Sequence, residues 1–322
     1  MDLACLGEML IDFLPGAEEA NFVRKAGGAP ANMAIAAAKC DFDVGFCGKV
    51  GTDFFGDYLW SVLQKFNVRI LSPQQIEEAM TTMAFVQLDE HGERNFAFAR
   101  KPGADALLTI QDVERAGVFE AQILHAGSCS LSESPAYEAT VYAMKKAHEL
   151  GKWVSFDINY RDPMWRGNLS LAKKRIFEVL PFVHLLKCSS EERNLFWGNA
   201  SIDEMLRDIP AIVTVETLGE QGSRAFFEGK EIFAEGIRSK VIDTTGAGDA
   251  FWGAFLSCIF REKWVKGHHL DFQSIQKALR LGNIAGHLCV QTKGAQESLP
   301  SWAEIETLYI QHYSARTEEA LS

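Results

Sequence analysis

The sequence lacks the features that mark several classes of protein. No stretch approaches the ~18 uncharged apolar residues of a membrane-spanning helix, and no cluster of Lys and Arg offsets the net charge of −11. We therefore expect neither nucleic acid nor a membrane as a partner. None of the seven cysteines belongs to a C-x-x-C pair, and most lie among apolar residues. This pattern predicts buried thiols in a reducing compartment, and hence a cytoplasmic protein.

Two common nucleotide-binding motifs are missing as well. The Walker-type pattern G-x-x-x-x-G-K-[ST] does not occur in the chain. Gly246 and Gly248 begin a G-x-G-x-x-G pattern, but Phe251 takes the third glycine position. A dinucleotide-binding fold also places that motif after its first strand, not in the last quarter of the chain. The sequence thus excludes a Walker-type phosphate loop and argues against a dehydrogenase.

The composition and the order of the apolar segments predict one α/β domain covering residues 1–322. With 47% hydrophobic residues, the chain can bury a large core. Strands and helices alternate from Thr109 onward, which favours a central, mainly parallel sheet flanked by helices. Strands are predicted at residues 3–6, 44–47, 123–125, 153–157, 184–187 and 211–216, and helices at 54–66, 136–149, 171–179 and from 190. Residues 222–227 and 231–234 are predicted to form a hairpin.

A small lid, inserted into that domain, is predicted from two segments, residues 12–26 and 80–102. In the second segment, residues 83–88 and 94–99 flank a polar hairpin signal at 89–93. Both arms are short and partly polar, which suits strands at the edge of a domain. Because exposed strands tend to pair with other strands, we expect a homodimer formed through the lid.

The stretch of residues 241–255 carries the strongest chemical signal. Gly246, Ala247 and Gly248 lie between an extended segment and an apolar run of helical period. Small residues there let backbone N–H groups face an anion at the positive end of a helix. Asp249 follows directly, and a carboxylate beside an anion site is unfavourable unless it accepts the proton of an attacking hydroxyl. The alternative is that Asp249 only caps the helix.

Polar residues also follow several of the predicted strands. In open α/β sheets, ligands bind beyond the carboxyl ends of the strands. Such positions are occupied by Asp12, Asp157-Ile158-Asn159-Tyr160-Arg161, Lys187, Thr217 and Gly219. Asp and Asn commonly stabilise turns after strands, so each position alone has a structural alternative. Glu192 lies at a predicted helix start, where an acid either stabilises the helix dipole or orders water around a phosphate-bound Mg²⁺.

Two motifs resemble the signatures of the ribokinase/PfkB family of carbohydrate kinases. Asp243-Thr244-Thr245-Gly246-Ala247-Gly248-Asp249, with Gly253-Ala254 after it, is similar to the C-terminal signature. Gly27-Gly28-Ala29-Pro30-Ala31-Asn32 resembles the N-terminal signature in its fructokinase form. The resemblance extends from Gly7 to Gln296 and implies a ribokinase-like, three-layer α/β/α fold with a small β-strand lid.

The same resemblance implies an ATP-dependent transfer of the γ-phosphoryl group to a terminal hydroxyl of a ketose, with Mg²⁺ and K⁺ as the expected ions. Fructose, giving fructose 6-phosphate, is the first choice of substrate. The alternatives are 2-keto-3-deoxygluconate or a nucleoside-like sugar. A sugar-binding regulator built on a kinase fold is a different class, and it would be expected to lack the carboxylate or the glycine-rich turn that this chain retains.

The resemblance also implies a role for each residue that matches a family motif. Catalysis falls to Asp249 as general base and to Gly246, Ala247 and Gly248 as the anion hole. The implied ligands of the sugar and the transferred phosphate are Asp12, Gly27, Gly28, Asn32, Arg100, Asn159 and Arg161. The implied nucleotide ligands are Lys187, Ser189, Thr217, Gly219, Gly222 and Asn283. Glu192 is implied for hydrated Mg²⁺, and Asp243, Thr245, Thr292, Gly294 and Ser298 for the monovalent cation. Ser189 and Ile158 depart from the family's usual Asn and Pro.

Overall fold

The computed structural model of the protein describes residues 1–16, 18, 20–72, 75–88, 94–262 and 270–319. The strands in these ranges are β1 (Leu3–Leu6), β2 (Leu10–Pro15), β3 (Phe22–Gly27), β4 (Val44–Cys47), β5 (Arg69–Ile70), β6 (Met83–Leu88), β7 (Arg94–Ala99), β8 (Ile123–Gly127), β9 (Trp153–Asp157), β10 (Leu185–Ser189), β11 (Val213–Thr217), β12 (Gly222–Phe227) and β13 (Lys230–Glu235). The predicted strands are confirmed, with ends that differ by no more than two residues.

The helices surround the larger of two sheets. They are α1 (Ala29–Lys39), α2 (Phe54–Lys65), α3 (Ile110–Arg115), α4 (Ala136–Glu149), α5 (Leu169–Val179), α6 (Ser190–Trp197), α7 (Ile202–Asp208), α8 (Ala247–Glu262), α9 (Phe272–Cys289), α10 (Ala295–Ser298) and α11 (Trp302–Glu319). Over the described ranges, no helix is both long enough and apolar enough to cross a bilayer. The predicted helices are confirmed.

The larger sheet is mainly parallel and buried on both faces. Within the described residues it has nine strands in the order β13-β12-β11-β10-β9-β8-β1-β4-β5, and only β12 and β13 run antiparallel to their neighbours. Side chains of β1 alternate between two cores, as strand geometry requires. Leu3 and Cys5 join the core under α1, α8 and α9, whereas Ala4 and Leu6 join the core under α4 and α5. The predicted three-layer arrangement of helix, sheet and helix is therefore confirmed.

The predicted hairpin before residue 241 is also confirmed. β12 and β13 pair in antiparallel register, with Phe227 opposite Lys230. The turn residues Glu228 and Gly229 have φ values of +48° and +71°. Positive φ at both central residues is the geometry that two-residue hairpins favour, because its twist matches that of the strands.

The smaller sheet lies in the two segments that were predicted to form a lid, and we use that name for it. In the described residues it has four strands in the order β3-β2-β6-β7, built from both predicted segments. The hairpin turn predicted at 89–93 lies outside the described residues.

Asp53 connects the lid to the main body. It caps α2 as its Oδ1 accepts the N–H of Phe55, and its Oδ2 accepts the N–H of Thr81 at 2.8 Å. One carboxylate thus ties the chain entering β6 of the lid to a helix of the main body.

Close packing between α1 and α8 sets the position of the site. A Cβ on Gly253 of α8 would lie 2.6 Å from the Cβ of Ala36 of α1, nearer than two side chains can approach. Phe251, Phe255 and Ile259 are almost fully buried, and their spacing of four residues places them on one side of α8. The first turns of the two helices therefore lie side by side, near the carboxyl ends of the parallel strands of the large sheet.

Candidate active site

The carboxyl ends of the parallel strands and the N-terminus of α8 meet at two adjoining cavities. The first, which we call the lid cavity, has a volume of about 350 Å³ and is lined by Asp12 of the lid and Lys187 of the large sheet. The second, the α9 cavity, has a volume of about 290 Å³ and is lined in part by Asn283 of α9. Thr244 and Gly248 line both cavities, so the first turn of α8 lies at their junction.

Asp249 lies in that first turn and faces the lid cavity, with 8% of the residue exposed. Asn32 of α1 donates a hydrogen bond of 2.9 Å from Nδ2 to Asp249 Oδ2. Burial raises the pKa of Asp249 to about 6, against the lowering effect of that hydrogen bond. A carboxylate with this pKa is ionised at neutral pH and still able to take up a proton. The carboxylate of Asp249 is hydrogen-bonded by a side chain of another helix, whereas a helix cap would accept backbone N–H groups of its own helix. This contact favours the interpretation of Asp249 as a proton acceptor.

The backbone around Gly246 opens the N-terminus of α8. Gly246 has a φ of +82°, and a Cβ there would lie 3.1 Å from the backbone of α10, so glycine is favoured twice. In the described part of the chain, the N–H groups of Gly248 and Asp249 donate to no backbone acceptor. The Ala247 N–H differs, since it donates to the Thr244 oxygen at 3.3 Å. The unengaged N–H groups at a positive helix end are suited to an anion.

A buried ion pair lies beside this helix terminus. Lys187 Nζ is 2.6 Å from Asp157 Oδ2, and it would lie 3.3 Å from a Cβ placed on Gly248. Burial alone would lower the pKa of Lys187, but Asp157, Glu192 and Asp249 more than offset this and raise it. Lys187 therefore keeps its positive charge inside the lid cavity, next to the N–H of Gly248.

The same cluster contains oxygen ligands of the kind that Mg²⁺ prefers. Asp157 Oδ1 is buried and has no hydrogen-bond partner in the described structure. Both Glu192 oxygens are engaged, because Oε2 accepts the N–H of Ser189 at 2.8 Å and Oε1 accepts that of Tyr160 at 2.6 Å. No group of three or more His, Cys, Asp or Glu side chains in the described residues could hold an ion directly. The residues fit an ion bound through water, with Asp157 better placed than Glu192.

Most of the predicted sugar and phosphate ligands come together. The lid cavity is lined by Asp12, Gly28, Asn32, Asn159 and Arg161. Gly27 is not part of the lining, but a Cβ on it would overlap the carboxylate of Asp12. Gly27 therefore makes room for the Asp12 side chain instead of offering a contact of its own.

Arg100 lies outside the lining of the lid cavity. Its Nη2 is 2.7 Å from Asp105 Oδ2, and its Nη1 donates to Ser132 Oγ at 2.9 Å. With 6% of the residue exposed, its guanidinium is committed to the base of the lid, just beyond β7. These contacts describe an anchor for the lid, and a direct contact of Arg100 with a sugar stays a prediction.

Glu8 is a lining residue that the sequence reasoning did not select. It lies in the lid cavity wall, and its buried Oε2 has no hydrogen-bond partner in the described structure. Burial raises the pKa of Glu8 to about 7. Glu8 follows β1 almost directly, so the strand-end rule that selected Asp12 could have found it.

The predicted nucleotide ligands divide between the two cavities. Thr217, Gly219, Gly222 and Asn283 line the α9 cavity. The Asn283 amide donates to the backbone oxygens at the end of β13, at 3.0 and 3.2 Å, and so holds α9 against the large sheet. Lys187 lines the lid cavity instead. Ser189 lines neither cavity and caps α6 through a reciprocal pair of bonds with Glu192.

Two further residues of the α9 cavity, Phe251 and His287, were not selected from the sequence, although both line it.

The residues predicted to hold a monovalent cation belong to two segments that meet beside α8. Asp243 joins them, because its Oδ1 accepts the N–H of Thr245 at 2.8 Å and its Oδ2 accepts that of Gly294 at 3.1 Å. Ser298 is buried in α10, whereas Thr292 lies on the exposed turn before it. The two segments are thus neighbours, as a shared ion would need, and the ion itself stays a prediction.

Comparisons with known proteins agree with this geometry. Residues 1–302 match the model of the pfkB family of carbohydrate kinases. The chain is 35% identical over 308 residues to a probable fructokinase-2 of Arabidopsis thaliana, covering 92% of each chain. A fructokinase from Xylella fastidiosa, solved with bound ATP, superposes with a TM-score of 0.90 at 31% identity, covering 97% of this chain and 99% of that one.

A second solved structure is a fructokinase from Vibrio cholerae O395 with fructose, ADP and calcium ion bound. It superposes with a TM-score of 0.83 at 30% identity, covering 95% of this chain and 98% of that one. A double mutant of the Vibrio enzyme was solved with fructose, ADP and a potassium ion. These matches show a phosphotransferase that acts on a sugar hydroxyl. The chain belongs to the pfkB family of carbohydrate kinases.

The pKa of Asp249 leads to a prediction about pH. Because a general base must be ionised, kcat should fall below a pH of about 6 and drop about tenfold for each further pH unit. Asn32→Leu should move this acid limb to higher pH, since its hydrogen bond lowers the pKa of Asp249. Rates at saturating substrates between pH 4.5 and 8 measure both effects. Asn199→Leu, at an exposed loop position, is the control, and a rate that stays level through pH 5 would contradict the assignment.

Proposed function

We propose that this protein transfers the γ-phosphoryl group of ATP to the terminal hydroxyl of a ketose, and that the ketose is fructose. The observation that carries the proposal is the position of Asp249, a buried carboxylate at the helix terminus where the two cavities join. The fructokinase relatives, solved with ATP or with fructose and ADP, support this choice of substrates. The lid cavity would take the sugar and the α9 cavity the nucleoside part of ATP.

Asp249 acts as the general base in this proposal. Its Oδ2 is held by Asn32 and faces the lid cavity, where the attacking hydroxyl would lie. As the new O–P bond forms, the bond between the γ-phosphorus and the β-phosphate oxygen breaks, ADP leaves, and Asp249 takes the proton of the attacking hydroxyl. The proton is then lost to water once the product leaves. A pKa near 6 allows the carboxylate both to accept the proton and to release it at neutral pH.

The N-terminus of α8 and Lys187 act on the phosphoryl group. The N–H groups of Gly248 and Asp249 are unengaged by backbone in the described chain, and Lys187 Nζ lies next to Gly248. They meet the negative charge that spreads over the transferring group. Removing one such donor typically costs about 10²–10³ in rate. Positioning and charge stabilisation are the main requirements of phosphoryl transfer, which explains why few side chains are needed.

Two ions complete the proposed site. Mg²⁺ bound with ATP would neutralise phosphate charge, and Asp157 Oδ1 would be the main acceptor for its water ligands. Glu192 would add a contact only beyond the two backbone N–H groups that its oxygens already accept. The potassium-bound Vibrio mutant supports K⁺ as the second ion by analogy, and K⁺ would lie between the segments joined by Asp243. By fixing these segments, such an ion would hold the N-terminus of α8 in place without touching the substrate.

The lid is proposed as an insertion in a single kinase domain, and it would exclude water from the sugar. Its β2 contributes Asp12 to the cavity and β7 contributes Phe98. Excluding water limits wasteful hydrolysis of ATP. The seven cysteines are buried as thiols, which supports the proposal that the enzyme works in the cytoplasm.

A homodimer formed through the lid is also proposed. Phe13 and Phe85 stack with ring centroids 5.0 Å apart, and Phe22 packs edge-on against Phe85 at 5.9 Å. Phe22 is 52% exposed and Val23 42%, so this aromatic cluster reaches the surface. A second lid could cover these side chains and remove their apolar surface from water.

A panel of sugars tests the substrate. With ATP and Mg²⁺, fructose should give a higher kcat/KM than other ketoses, 2-keto-3-deoxygluconate and nucleosides, because relatives that match nearly the whole chain are fructokinases. Sugar-dependent release of ADP is the measurement. Turnover of a sugar acid or a nucleoside above that of fructose would replace the substrate, and binding of sugar without any ADP release would point to a regulator.

Substitution on the lid tests the dimer. Phe22→Lys should shift the solution mass from twice the 35.8 kDa of one chain toward a single chain, because a charge would be buried at the interface. Phe233→Lys should leave the mass unchanged, because Phe233 is 49% exposed on β13, an edge strand of the large sheet and not of the lid. Sedimentation equilibrium distinguishes the two, and a monomeric unmodified protein at high concentration would contradict the proposal.

A further inference from the structure

A side chain behind the active site contacts the machinery without reaching the cavities. Gln296 lies in the short helix α10 and is 3% exposed. Its Nε2 donates a hydrogen bond of 3.2 Å to Asn32 Oδ1. Asn32 Nδ2 in turn donates to Asp249 Oδ2 at 2.9 Å. Two consecutive hydrogen bonds therefore run from α10 through α1 to the proposed base.

The chemistry of an amide makes the first of these bonds selective. The two ends of the Asn32 amide have nearly the same shape, but one end donates and the other accepts. Either end could face Asp249 on steric grounds, and the oxygen end would repel the carboxylate. In the observed orientation the Gln296 amide nitrogen donates to Asn32 Oδ1, which leaves Asn32 Nδ2 for Asp249.

We propose that Gln296 is a positioning residue, which fixes the orientation of the Asn32 amide so that its N–H group holds Asp249 for catalysis. This inference rests on the proposed function, in which Asp249 is the base. It adds a residue that is not itself part of either cavity lining. Removing the Gln296 donor would leave Asn32 Oδ1 buried and unsatisfied, and repulsion from Asp249 alone would then oppose a flip of the Asn32 amide.

The location of α10 supports this role. Asp243 holds the N–H of Gly294 at 3.1 Å at the start of the helix, and Ser298 Oγ donates to the Ala295 oxygen at 2.8 Å at its end. Glu297 forms an ion pair of 3.0 Å with Lys25 of lid strand β3. Gln296 is therefore presented by a segment that is fixed on the side of the main body and on the side of the lid.

The test is a double-mutant cycle with Gln296→Met, which keeps the volume and removes the donor. In the unmodified background, Gln296→Met should lower kcat/KM for fructose about tenfold and leave the KM for ATP unchanged. It should also move the acid limb of kcat to higher pH. The other groups that influence the pKa of Asp249, namely Asp157, Lys187 and Arg161, are unchanged in this variant, so the shift reports the loss of the Gln296 donor. In the Asn32→Leu background, Gln296→Met should have less than about a twofold effect, because no amide remains to orient.

Further variants keep the outcome clear. Gln296→Glu is isosteric, and its ionised carboxylate cannot donate, so it should cause a larger loss and a higher acid limb than Gln296→Met. Gln64→Met makes the same exchange at an exposed position of α2 and should change nothing. If Gln296→Met fails to fold, Gln296→Glu carries the same comparison in both backgrounds.

The possible results separate this inference from the proposed function. Equal losses in the unmodified and Asn32→Leu backgrounds would show that Gln296 acts elsewhere and would overturn the inference. Normal kcat/KM and an unchanged acid limb in both Gln296 variants would overturn it as well. In that case, turnover of fructose by the unmodified chain would still support the proposed function. No turnover of any sugar by the unmodified chain would contradict both.

Discussion

The structure depends on keeping one ionised carboxylate, that of Asp249, almost fully buried in the wall of the lid cavity. Burial disfavours the charged form and raises the pKa of Asp249 to about 6. The hydrogen bond from Asn32, the positive charge of Lys187 and the helix terminus at which Asp249 lies limit that rise. A base with a much higher pKa would be protonated at neutral pH, and one with an ordinary pKa would be a weaker proton acceptor.

The fold explains why these groups meet. Parallel strands end at one edge of the large sheet, so Asp157 of β9 and Lys187 of β10 become neighbours although 30 residues separate them. Gly253 lets α8 approach α1, which brings Asn32 within 2.9 Å of Asp249 across 217 residues of sequence. Asp243 then connects the start of α8 to the turn before α10. Each element of the site is thus fixed by contacts that belong to the fold itself.

Much of the fold and the centre of the site could be predicted from the sequence. Apolar runs such as Leu3–Leu6 and Val44–Cys47 are short and uninterrupted, which is the signature of strands buried on both faces. Asp249 and the turn at Gly246 are contiguous in sequence, so their chemistry is visible without knowledge of the fold. The expectation of ligands at strand ends holds for Asp157, the last residue of β9, whereas Asp12, selected on the same ground, lies inside lid strand β2.

The remaining contacts depend on distances that no local pattern contains. Arg100 could be placed at the end of the lid hairpin, but only the fold shows that Asp105 and Ser132 engage its guanidinium. Glu192 fits a metal-binding motif, yet its two oxygens hold backbone N–H groups of Ser189 and Tyr160. The hydrogen bond from Gln296 to Asn32 spans 264 residues of sequence, and it exists because the fold packs α10 beside α1.

The most direct test of the central claim is the rate of fructose-dependent ADP release by Asp249→Asn. The substitution keeps the size of the side chain and removes its ability to accept a proton. The account predicts that kcat falls by about 10²–10⁴ while the KM for fructose stays close to that of the unmodified enzyme. A kcat within a fewfold of the unmodified value would show that another group takes the proton, and it would contradict the account.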